Sequence, residues 1–371
     1  MSLHFHPLTV RAVTPDTDEA MVVSFAVPPE LAETFRFTPG QYLTLRHEVD
    51  GQDLRRSYSI CAGVDDCELR VGVRRVDGGV FSTWVNRALK AGDVIESYPP
   101  QGRFSLPTDA ASAAPEAGQD ARPVAHHYLG IAAGSGITPI LSIMKTALAR
   151  EPHSRFTLIY ANRSQASTMF KEEIEDLKNR YMTRLSLHNV FSRELVDAPL
   201  LAGRLDRHKM GEFLKLLVPA ASIDQVFVCG PFEVNDEAEA ALLAAGVPEE
   251  RIHVERFGTL EMQTGKPAPH KVLAGDADSA RVVVIRDGIS REIEFAKTDA
   301  SLLDAAARAG MDVPFSCKSG VCSTCRCKLI EGEVRMDKNF ALDKAELAAG
   351  FILSCQAHAL TPRVVISFDE R

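Results

Sequence analysis

The sequence predicts a multidomain chain: a small antiparallel β-barrel, a doubly wound α/β domain and a third domain that carries most of the cysteines. The length of 371 residues exceeds what one hydrophobic core usually supports. Short β-rich runs separated by Gly, Pro and Asp turns fill the first hundred residues, as in a barrel. Apolar strands that alternate with amphipathic helices follow, which is the βαβ pattern of a parallel sheet.

Changes in composition suggest the domain boundaries. We expect the barrel at residues 1–107, the α/β domain at 125–257 and the third domain at 279–371. Residues 108–124 have almost no large apolar side chains, and residues 258–278 are polar and rich in Gly and Pro. Neither segment can bury enough apolar surface to fold alone, so the first is predicted to be a linker or insertion and the second a linker.

Individual elements follow from periodicity and from helix start and stop signals. The predicted barrel strands include Tyr42 to Leu45, Leu69 to Val73 and Val94 to Tyr98. The α/β domain is predicted to contain strands at 128–132, 156–160, 185–191, 225–229 and 251–255, and helices at 139–150, 170–180 and 233–245. The third domain is predicted to begin with a hairpin, 281–285 and 291–295, and a helix at 301–309 with Asp299 or Ser301 as N-cap and Gly310 as C-cap.

The charge balance limits the classes of partner. Fifty acidic and 42 basic residues give a net charge of −8 without long runs of one sign, which disfavours nucleic acid as the ligand. An acidic surface suits docking to a basic patch on another protein. No apolar run is long enough to span a bilayer and the first residues lack a secretion signal, so we expect a cytoplasmic protein.

The spacing of the cysteines is the most specific signal. Cys317, Cys322 and Cys325 follow the order C-x4-C-x2-C, and Cys355 follows after 29 intervening residues. This is the plant-type ligand pattern for a [2Fe-2S] cluster. Three thiolates on one tight loop and a fourth from a distant strand can converge on a compact dinuclear centre.

Zinc is the main alternative for four thiolates. Structural zinc usually takes two short pairs of ligands, whereas Cys355 has no cysteine beside it in the sequence. Cys327 is left over, and its place in the strand-like segment CRCKLI suggests a buried small hydrophobe.

The last domain, with VPFSCKSGVCSTCRC and FILSCQ, resembles a plant-type ferredoxin fused to the C-terminus of a reductase. The resemblance implies a β-grasp fold in which Cys317, Cys322, Cys325 and Cys355 ligate the cluster.

A flavin motif lies in the barrel. Arg56-Ser57-Tyr58-Ser59 resembles the R-x-Y-S signature of the ferredoxin-NADP reductase superfamily, and Pro39 to Tyr42 resembles its PGQY strand. A guanidinium can bind the FAD pyrophosphate, an aromatic ring can stack on isoalloxazine, and a hydroxyl can reach flavin N5. Arg56, Tyr58 and Ser59 are assigned to these roles, and Ser57 is counted with them. The tetrapeptide alone would also suit an exposed strand.

Further barrel segments are assigned to FAD by the same resemblance. Val73 and Arg75 stand where the family makes backbone contacts to the flavin, and Gln101 to Phe104 resembles the segment that closes the barrel. The family's second phosphate-binding turn, at the start of a short helix, is matched by Gly79, Val80, Phe81, Ser82 and Thr83. A plain hairpin turn is the alternative for that segment.

A glycine-rich turn marks the predicted nicotinamide dinucleotide site. Residues 130–139 read GIAAGSGITP, which is a strand, a turn and a helix opened by Pro139, and differ from the G-x-G-x-x-G of Rossmann domains. The small residues Gly134, Ser135 and Gly136 let a pyrophosphate approach the backbone, and Thr138 is the expected helix cap. The same order of motifs is found in the nucleotide lobe of the superfamily.

Four more predictions concern the nicotinamide dinucleotide and flavin. The resemblance places Cys229, Gly230 and Pro231 in the wall of the nicotinamide pocket, with the Cys229 thiol beside the transferred hydride. Arg163 and Ser164 follow a strand and are placed to bind a 2′-phosphate, which favours NADPH and leaves NADH open. Phe257 either shields the isoalloxazine or belongs to the core.

The combined resemblance covers nearly the whole chain and implies a relay from NADPH to FAD to [2Fe-2S] to a partner protein. The stretches SCKSGVCSTCRCKLIEGEV, MDKNFAL and GFILSCQAHAL resemble the reductase subunits of multicomponent phenylacetyl-CoA epoxidases. Such a resemblance implies a di-iron monooxygenase partner that oxidises an aromatic CoA thioester in aromatic degradation. The segment 108–124 departs from the family pattern.

Three alternatives remain open on the sequence alone. Reductases of steroid or Rieske-type oxygenases and of acyl desaturases share this domain order. A redox carrier or sensor whose reductase domains have lost activity is a non-catalytic alternative, against which the intact flavin motif argues. A self-sufficient oxidase is the third, but no paired Glu-x-x-His motifs for di-iron occur.

Overall fold

The computed structural model describes residues 3–49, 51–106, 125–257 and 272–370. Contacts divide the chain into a larger compact unit, residues 7–54 and 58–257, and a smaller unit formed mainly by the residues after 257. The predicted insertion at 108–124 and most of the predicted linker at 258–278 lie outside the described residues.

The first part of the larger unit is the predicted barrel. Its elements are β1 (His6–Thr17), β2 (Ala20–Ala26), β3 (Tyr42–Val49), β4 (Gln52–Ser59), β5 (Leu69–Arg74), α1 (Val80–Arg87) and β6 (Val94–Ser97). The strand order is β4-β3-β6-β1-β2-β5, and an antiparallel bridge between Ile60 and Val71 joins the two edges. Buried Leu, Val, Ile and Phe side chains such as Val10, Leu43 and Phe81 fill the interior.

The second part of the larger unit is a parallel sheet with helices on both faces, as predicted. Its elements are β7 (His127–Ala133), α2 (Ile137–Arg150), β8 (Arg155–Asn162), α3 (Lys171–Arg180), β9 (Leu185–Phe191), α4 (Arg207–Leu216), β10 (Gln225–Gly230), α5 (Phe232–Ala244) and β11 (Ile252–Arg256). The strand order is β11-β10-β7-β8-β9. Side chains alternate between two cores, so that Tyr128 packs into one and Leu129 into the other.

Two helices begin at other residues than predicted, and a third helix was not predicted. Helix α2 begins at Ile137, two residues before Pro139, because proline is tolerated in a first turn where its missing N–H costs nothing. Phe170 is the N-cap of α3 and has a φ of 55°, so the helix itself starts at Lys171. Helix α4 was not predicted, because Gly211 interrupts its pattern.

In its described residues, the smaller unit is a mixed sheet with two short helices, the β-grasp arrangement expected of a ferredoxin domain. Its elements are β12 (Ser279–Arg286), β13 (Ile289–Ala296), α6 (Leu302–Arg308), β14 (Arg326–Glu331), β15 (Val334–Met336), α7 (Lys344–Ala348), β16 (Phe351–Leu353), β17 (Ala357–Ala359) and β18 (Arg363–Ser367). The main sheet has the order β13-β12-β18-β14-β16, with β12 and β18 parallel.

The start of this unit follows the prediction closely. Strands β12 and β13 form the expected hairpin around Asp287 and Gly288. Of the two candidate caps, Ser301 is the N-cap of α6, since its side chain accepts a hydrogen bond from the Asp304 N–H. Gly310 has a φ of 73° and follows the C-cap Ala309. None of the described helices is both long and apolar enough to cross a bilayer.

Candidate functional site

The carboxyl ends of the parallel strands β7, β10 and β11 lie next to one another at one edge of the sheet. Cys229 on β10 is paired with Ala132 on β7 and with Glu255 on β11. In open α/β sheets, ligands bind beyond this edge of the sheet. The glycine-rich turn, Cys229 and Glu255 therefore belong to one site.

The turn after β7 is built for close approach of a ligand to the backbone. Residues 134–136 form a single 3-10 turn that leads into α2, and Gly134 has a φ of 54°. A β-carbon on Gly136 would lie 2.0 Å from the carbonyl oxygen of Cys229, so only glycine fits. The N-terminus of α2 with this bare backbone suits a pyrophosphate group.

Thr138 does not cap helix α2, so that prediction was wrong. The N-cap position is Gly136, and Thr138 is the second residue of the helix. Its buried hydroxyl donates a hydrogen bond to the carbonyl oxygen of Ser135 at 3.0 Å. Thr138 therefore stabilises the glycine-rich turn from within, and Pro139 continues the same turn.

The two residues predicted to be catalytic meet at a third, Glu255. The Ser59 hydroxyl donates a hydrogen bond to Glu255 Oε2 at 3.1 Å, and Cys229 Sγ lies 4.0 Å from the same oxygen. Ser59 ends β4 of the barrel, whereas Cys229 and Glu255 lie at the ends of strands of the parallel sheet. Sequence reasoning assigned no role to Glu255. The one feature that could have indicated a role is its position near the end of a strand, two residues before Phe257.

The environment of this cluster shifts its protonation equilibria. Burial raises the pKa of Glu255 to about 8, although the hydrogen bond from Ser59 lowers it. Burial and the nearby Glu255 raise the pKa of Cys229 well above its ordinary value. Near neutral pH, Glu255 is mostly a neutral acid that can donate a proton, and Cys229 is a thiol and not a nucleophilic thiolate.

Asn235 on α5 fixes the two strand ends of this cluster. Its Nδ2 donates to the backbone carbonyl oxygens of Glu255 at 2.9 Å and Gly230 at 3.2 Å. Gly230 is required, because an added β-carbon would come within 2.8 Å of Ala133 Cβ. Pro231 is the N-cap of α5. Asn235 was missed by sequence reasoning.

The flavin motif lies on the last residues of β4. Arg56 is exposed, and its Nη1 donates to the backbone carbonyl oxygen of Arg55 at 2.8 Å. Tyr58 is half-buried, with its ring centroid 5.9 Å from that of Phe81. Ser57 is half-buried and Ser59 is buried. Arg56 and Tyr58 are two residues apart on the strand, so they project from the same face.

The second predicted phosphate turn is the start of α1. Gly79 is the N-cap, and Val80 is the exposed first residue of the helix. The Ser82 hydroxyl accepts from the Val76 N–H at 3.1 Å, and Phe81 is buried in the barrel core. The backbone N–H groups of Val80 and its neighbours, rather than the Phe81 side chain, are thus the groups suited to a phosphate.

Some backbone groups assigned to the flavin already have partners. The carbonyl oxygen of Val73 accepts from Asn86 Nδ2 at 3.2 Å, and the Arg75 N–H donates to the carbonyl oxygen of Glu19 at 2.7 Å. The Val73 carbonyl oxygen and the Arg75 N–H are therefore already engaged within the barrel. Thr83 lies within the first turn of α1, where its N–H donates to the Gly79 carbonyl oxygen.

Two arginines lie side by side beyond β8 and β9. The Ser192 N–H donates to the Asn162 carbonyl oxygen at 3.0 Å, and the Arg193 N–H donates to that of Arg163 at 2.9 Å. Both arginine side chains are exposed. The Ser164 side chain caps a short 3-10 turn together with Ser167. Arg193 was missed, although it follows the neighbouring parallel strand just as Arg163 follows β8.

Phe257 is not a core residue. It directly follows β11, and 46% of its surface is exposed. Of its two predicted roles, the buried packing role is therefore wrong.

The cysteine loop gathers its four predicted ligands as two pairs. The thiols of Cys317 and Cys322 are hydrogen-bonded to each other, and those of Cys325 and Cys355 form a second pair. In the described ranges, no three Cys, His, Asp or Glu side chains converge where one metal ion would fit. Two thiol pairs suit the two irons of a [2Fe-2S] cluster, whereas zinc needs four ligands around one ion.

The loop backbone curls around these sulfurs. Lys318, Gly320 and Ser323 have φ values between 52° and 78°, in the left-handed region. The Ser319 N–H donates to Cys317 Sγ at 3.4 Å. Hydrogen bonds from the Cys322 thiol and from Ser319 lower the pKa of Cys317 to about 5, so it is a ready thiolate ligand.

Cys327 lies outside this group of ligands. It is fully buried on β14, and burial raises the pKa of its thiol far above the ordinary value. A buried neutral thiol in the domain core agrees with its prediction as a small hydrophobe.

Comparison with known families assigns each domain. The family described as "Oxidoreductase FAD-binding domain" matches residues 8–106, and "Oxidoreductase NAD-binding domain" matches residues 131–239. The family described as "2Fe-2S iron-sulfur cluster binding domain" matches residues 284–360. The predicted cofactors FAD and [2Fe-2S] and a nicotinamide dinucleotide are confirmed at this level.

Two relatives match the chain from end to end. A subunit of the 1,2-phenylacetyl-CoA epoxidase of Escherichia coli (strain K12) is 44% identical over 99% of this chain and 98% of its own length. The ferredoxin reductase component of 3-ketosteroid-9-alpha-monooxygenase of Rhodococcus rhodochrous is 35% identical over 97% and 96%. Both cover all three domains.

A solved structure agrees with the fold. Phthalate dioxygenase reductase, described as a modular structure for electron transfer from pyridine nucleotides to [2Fe-2S], matches with a TM-score of 0.58. The match covers 98% of both chains at 22% identity, so it bears on the three-domain fold alone.

Proposed function

Because the chain belongs to the family of FAD-, NAD- and [2Fe-2S]-binding reductase components that includes this 1,2-phenylacetyl-CoA epoxidase protein, we propose that its electron acceptor is the oxygenase component of such an epoxidase. The chain is an NAD(P)H-dependent flavin and iron–sulfur oxidoreductase. The single observation that carries the partner assignment is 44% identity along the full length of both chains. The domain limits proposed are those predicted from composition, at residues 107, 125, 257 and 279. The cytoplasm stays the predicted compartment.

When bound, FAD would supply hydride acceptance from the nicotinamide, and the [2Fe-2S] cluster would supply one-electron transfer to the partner. The role of this chain is positioning. The turn at Gly134, Ser135 and Gly136 binds the dinucleotide pyrophosphate, while Cys229, Gly230 and Pro231 form the wall beside the nicotinamide. Arg56 and the N-terminus of α1 bind the FAD pyrophosphate, and Tyr58 and Phe257 pack on the isoalloxazine.

Ser59 and Glu255 control a proton at the flavin edge. The Ser59 hydroxyl is the group proposed to reach the flavin, and Glu255, protonated near neutral pH, stands behind it at 3.1 Å. If the Ser59 hydroxyl turned toward the flavin edge, protonated Glu255 could donate to the Ser59 oxygen, and the pair would supply a proton there without water entering the site. Cys229 orients the nicotinamide and remains a thiol throughout.

NADPH is the proposed donor. Two neighbouring exposed arginines, Arg163 and Arg193, lie at the carboxyl edge of the sheet, which supports this proposal because ligands of such sheets bind at that edge. Guanidinium groups bind phosphate strongly, so a pair of arginines suits the 2′-phosphate of NADPH. The 2′-hydroxyl of NADH needs no such pair.

Reconstitution tests the partner assignment. The purified holoprotein is mixed with the oxygenase component of a phenylacetyl-CoA epoxidase, phenylacetyl-CoA and NADPH, and epoxide formation is measured against NADPH consumption. Coupled product formation supports the proposal. The steroid alternative would be favoured by a different result. In that case the protein reduces an artificial acceptor fast and gives no epoxide, but supports product formation by the oxygenase component of a 3-ketosteroid monooxygenase.

A further inference from the structure

A second carboxylate, Glu19, lies near the glycine-rich turn and outside the proton path. Glu19 stands in the tight turn between β1 and β2, and its side chain is 44% exposed. Its Oε2 accepts a hydrogen bond from Arg74 Nη2 at 2.9 Å. Its own backbone carbonyl oxygen accepts from the Arg75 N–H, which holds the turn beside the end of β5.

The same arginine faces the dinucleotide turn. A β-carbon built on Gly134 would lie 3.1 Å from Arg74 Nη1. The Arg74 guanidinium thus bonds Glu19 with one nitrogen and faces the Gly134 backbone with the other. Because arginine can bind two phosphate oxygens with two parallel hydrogen bonds, Arg74 is placed to bind a pyrophosphate on this turn.

Glu19 is itself surrounded by positive charge. The hydrogen bond from Arg74, and the charges of Arg163 and Arg75, lower the pKa of Glu19, so it is ionised at neutral pH. The Glu19 side chain is partly open to solvent, so it has room to leave Arg74.

We propose that the Glu19 carboxylate competes with the pyrophosphate of the dinucleotide for Arg74 and so limits the affinity for it. This inference rests on the proposed dinucleotide site at the Gly134 turn. Before binding, the ion pair with Glu19 holds Arg74 beside the turn. On binding, Arg74 exchanges the carboxylate for phosphate oxygens, and on dissociation Glu19 takes Arg74 back. Competition of this kind weakens product binding and speeds release of the oxidised dinucleotide.

The test is the affinity of the oxidised holoprotein for NADP+ and NAD+, measured by isothermal titration calorimetry. Glu19→Gln removes the competing charge and is expected to tighten both dinucleotides by about threefold, the size of one exposed ion pair. Both are affected equally because they share the pyrophosphate. Glu30→Gln is the matched control, since it removes one exposed carboxylate elsewhere on the barrel and is expected to change nothing.

A double-mutant cycle ties the effect to Arg74. Arg74→Ala alone is expected to weaken both dinucleotides, and Glu19→Gln added to Arg74→Ala is expected to have no further effect. A gain for NADP+ only would assign Glu19 to the 2′-phosphate end and overturn the proposal. No gain, or an equal gain in Glu30→Gln, would also overturn it.

Failure of the underlying site has a different signature. If Arg74→Ala and Arg163→Ala both leave the affinities for NADP+ and NAD+ unchanged, the dinucleotide does not bind at the Gly134 turn. The proposed function would then lack a binding site for the hydride donor. If Arg74→Ala weakens binding but Glu19→Gln does nothing, the site stands and only the competition is refuted.

Discussion

The Ser59 hydroxyl donates a hydrogen bond to the Glu255 carboxyl group at 3.1 Å, although 196 residues separate them in the chain. Ser59 ends a strand of the flavin barrel, and Glu255 lies near the end of the last strand of the nucleotide sheet. The contact joins the FAD-binding barrel to the nucleotide-binding sheet. In the proposed relay, hydride transfer depends on how these two strand ends meet.

Ser59→Ala is expected to slow reduction of the flavin by NADPH by roughly tenfold to a hundredfold, because it removes the hydroxyl that we propose to lie between Glu255 and the flavin. Single-turnover stopped-flow absorbance measures the rate. Ser186→Ala, at an exposed position of β9, is the matched control and should react as the wild type does. An unchanged rate in Ser59→Ala would remove Ser59 from the proton path.

The raised pKa of Glu255 makes stability depend on pH. Burial raises the folded-state pKa to about 8, so the folded protein holds a proton that the unfolded chain has already released. The stabilising contribution is therefore complete below the ordinary carboxyl pKa and is lost as the pH rises through about 8. Glu255→Gln, which has no such proton, should lose less thermal stability between pH 5 and pH 9.

Thermal unfolding of the holoprotein at several pH values checks this prediction, with Glu30→Gln as the control for loss of an exposed carboxylate. Parallel curves for wild type and Glu255→Gln would show that Glu255 is ionised across the range.

Cys355→Ser is expected to lose most of the bound iron and of the cluster absorbance, since it removes one thiolate from the Cys325 pair. Cys327→Ser is the matched control, because Cys327 is buried in the same domain without being paired as a ligand. Iron analysis and visible spectra compare the two variants. Equal loss of iron in both would make Cys327 part of the metal site.

Gly136→Ala is expected to destabilise the larger unit by about 2 kcal/mol or more, because its β-carbon would lie 2.0 Å from the Cys229 carbonyl oxygen. Gly211→Ala is the control: a β-carbon there meets nothing within 4 Å, and alanine favours a helix interior by about 1 kcal/mol. Thermal unfolding followed by flavin fluorescence measures both. If Gly136→Ala left the thermal stability unchanged, the turns that follow β7 and β10 would not be packed as described.

Arg193→Ala is expected to raise KM for NADPH by about tenfold or more and to leave KM for NADH nearly unchanged, because only NADPH has a 2′-phosphate for the guanidinium to bind. Steady-state reduction of an artificial acceptor gives both constants. Arg204→Ala, another exposed arginine, is the control. Equal effects on both dinucleotides would place Arg193 away from the 2′-phosphate.

Local patterns in the sequence were sufficient for the domain types and for the strands and most of the described helices of the nucleotide domain, while the four cysteine ligands stay a prediction. Each depends on short-range spacing: the C-x4-C-x2-C loop, the βαβ rhythm and the turn at Gly134. The observed starts of α2 and α3 differ from the predicted ones by one or two residues, because Pro139 and Phe170 allow more than one start. Helix α4 was not predicted, because Gly211 interrupts its pattern.

Contacts between distant segments could not be read from these patterns. Glu255, Asn235 and Arg74 acquire their roles only when separate strand ends meet, and nothing in the local sequence distinguishes them from surface residues. Thr138 shows the converse, because its residue type suits a cap but its position inside the first turn directs the hydroxyl to Ser135.

The relay itself is tested most directly by an anaerobic titration of the oxidised holoprotein with NADPH, and separately with NADH, followed by visible absorbance. We predict bleaching of the flavin together with loss of the broad iron–sulfur absorbance, at lower NADPH than NADH. A protein whose flavin bleaches while the iron–sulfur absorbance stays oxidised would contradict electron transfer from FAD to the cluster.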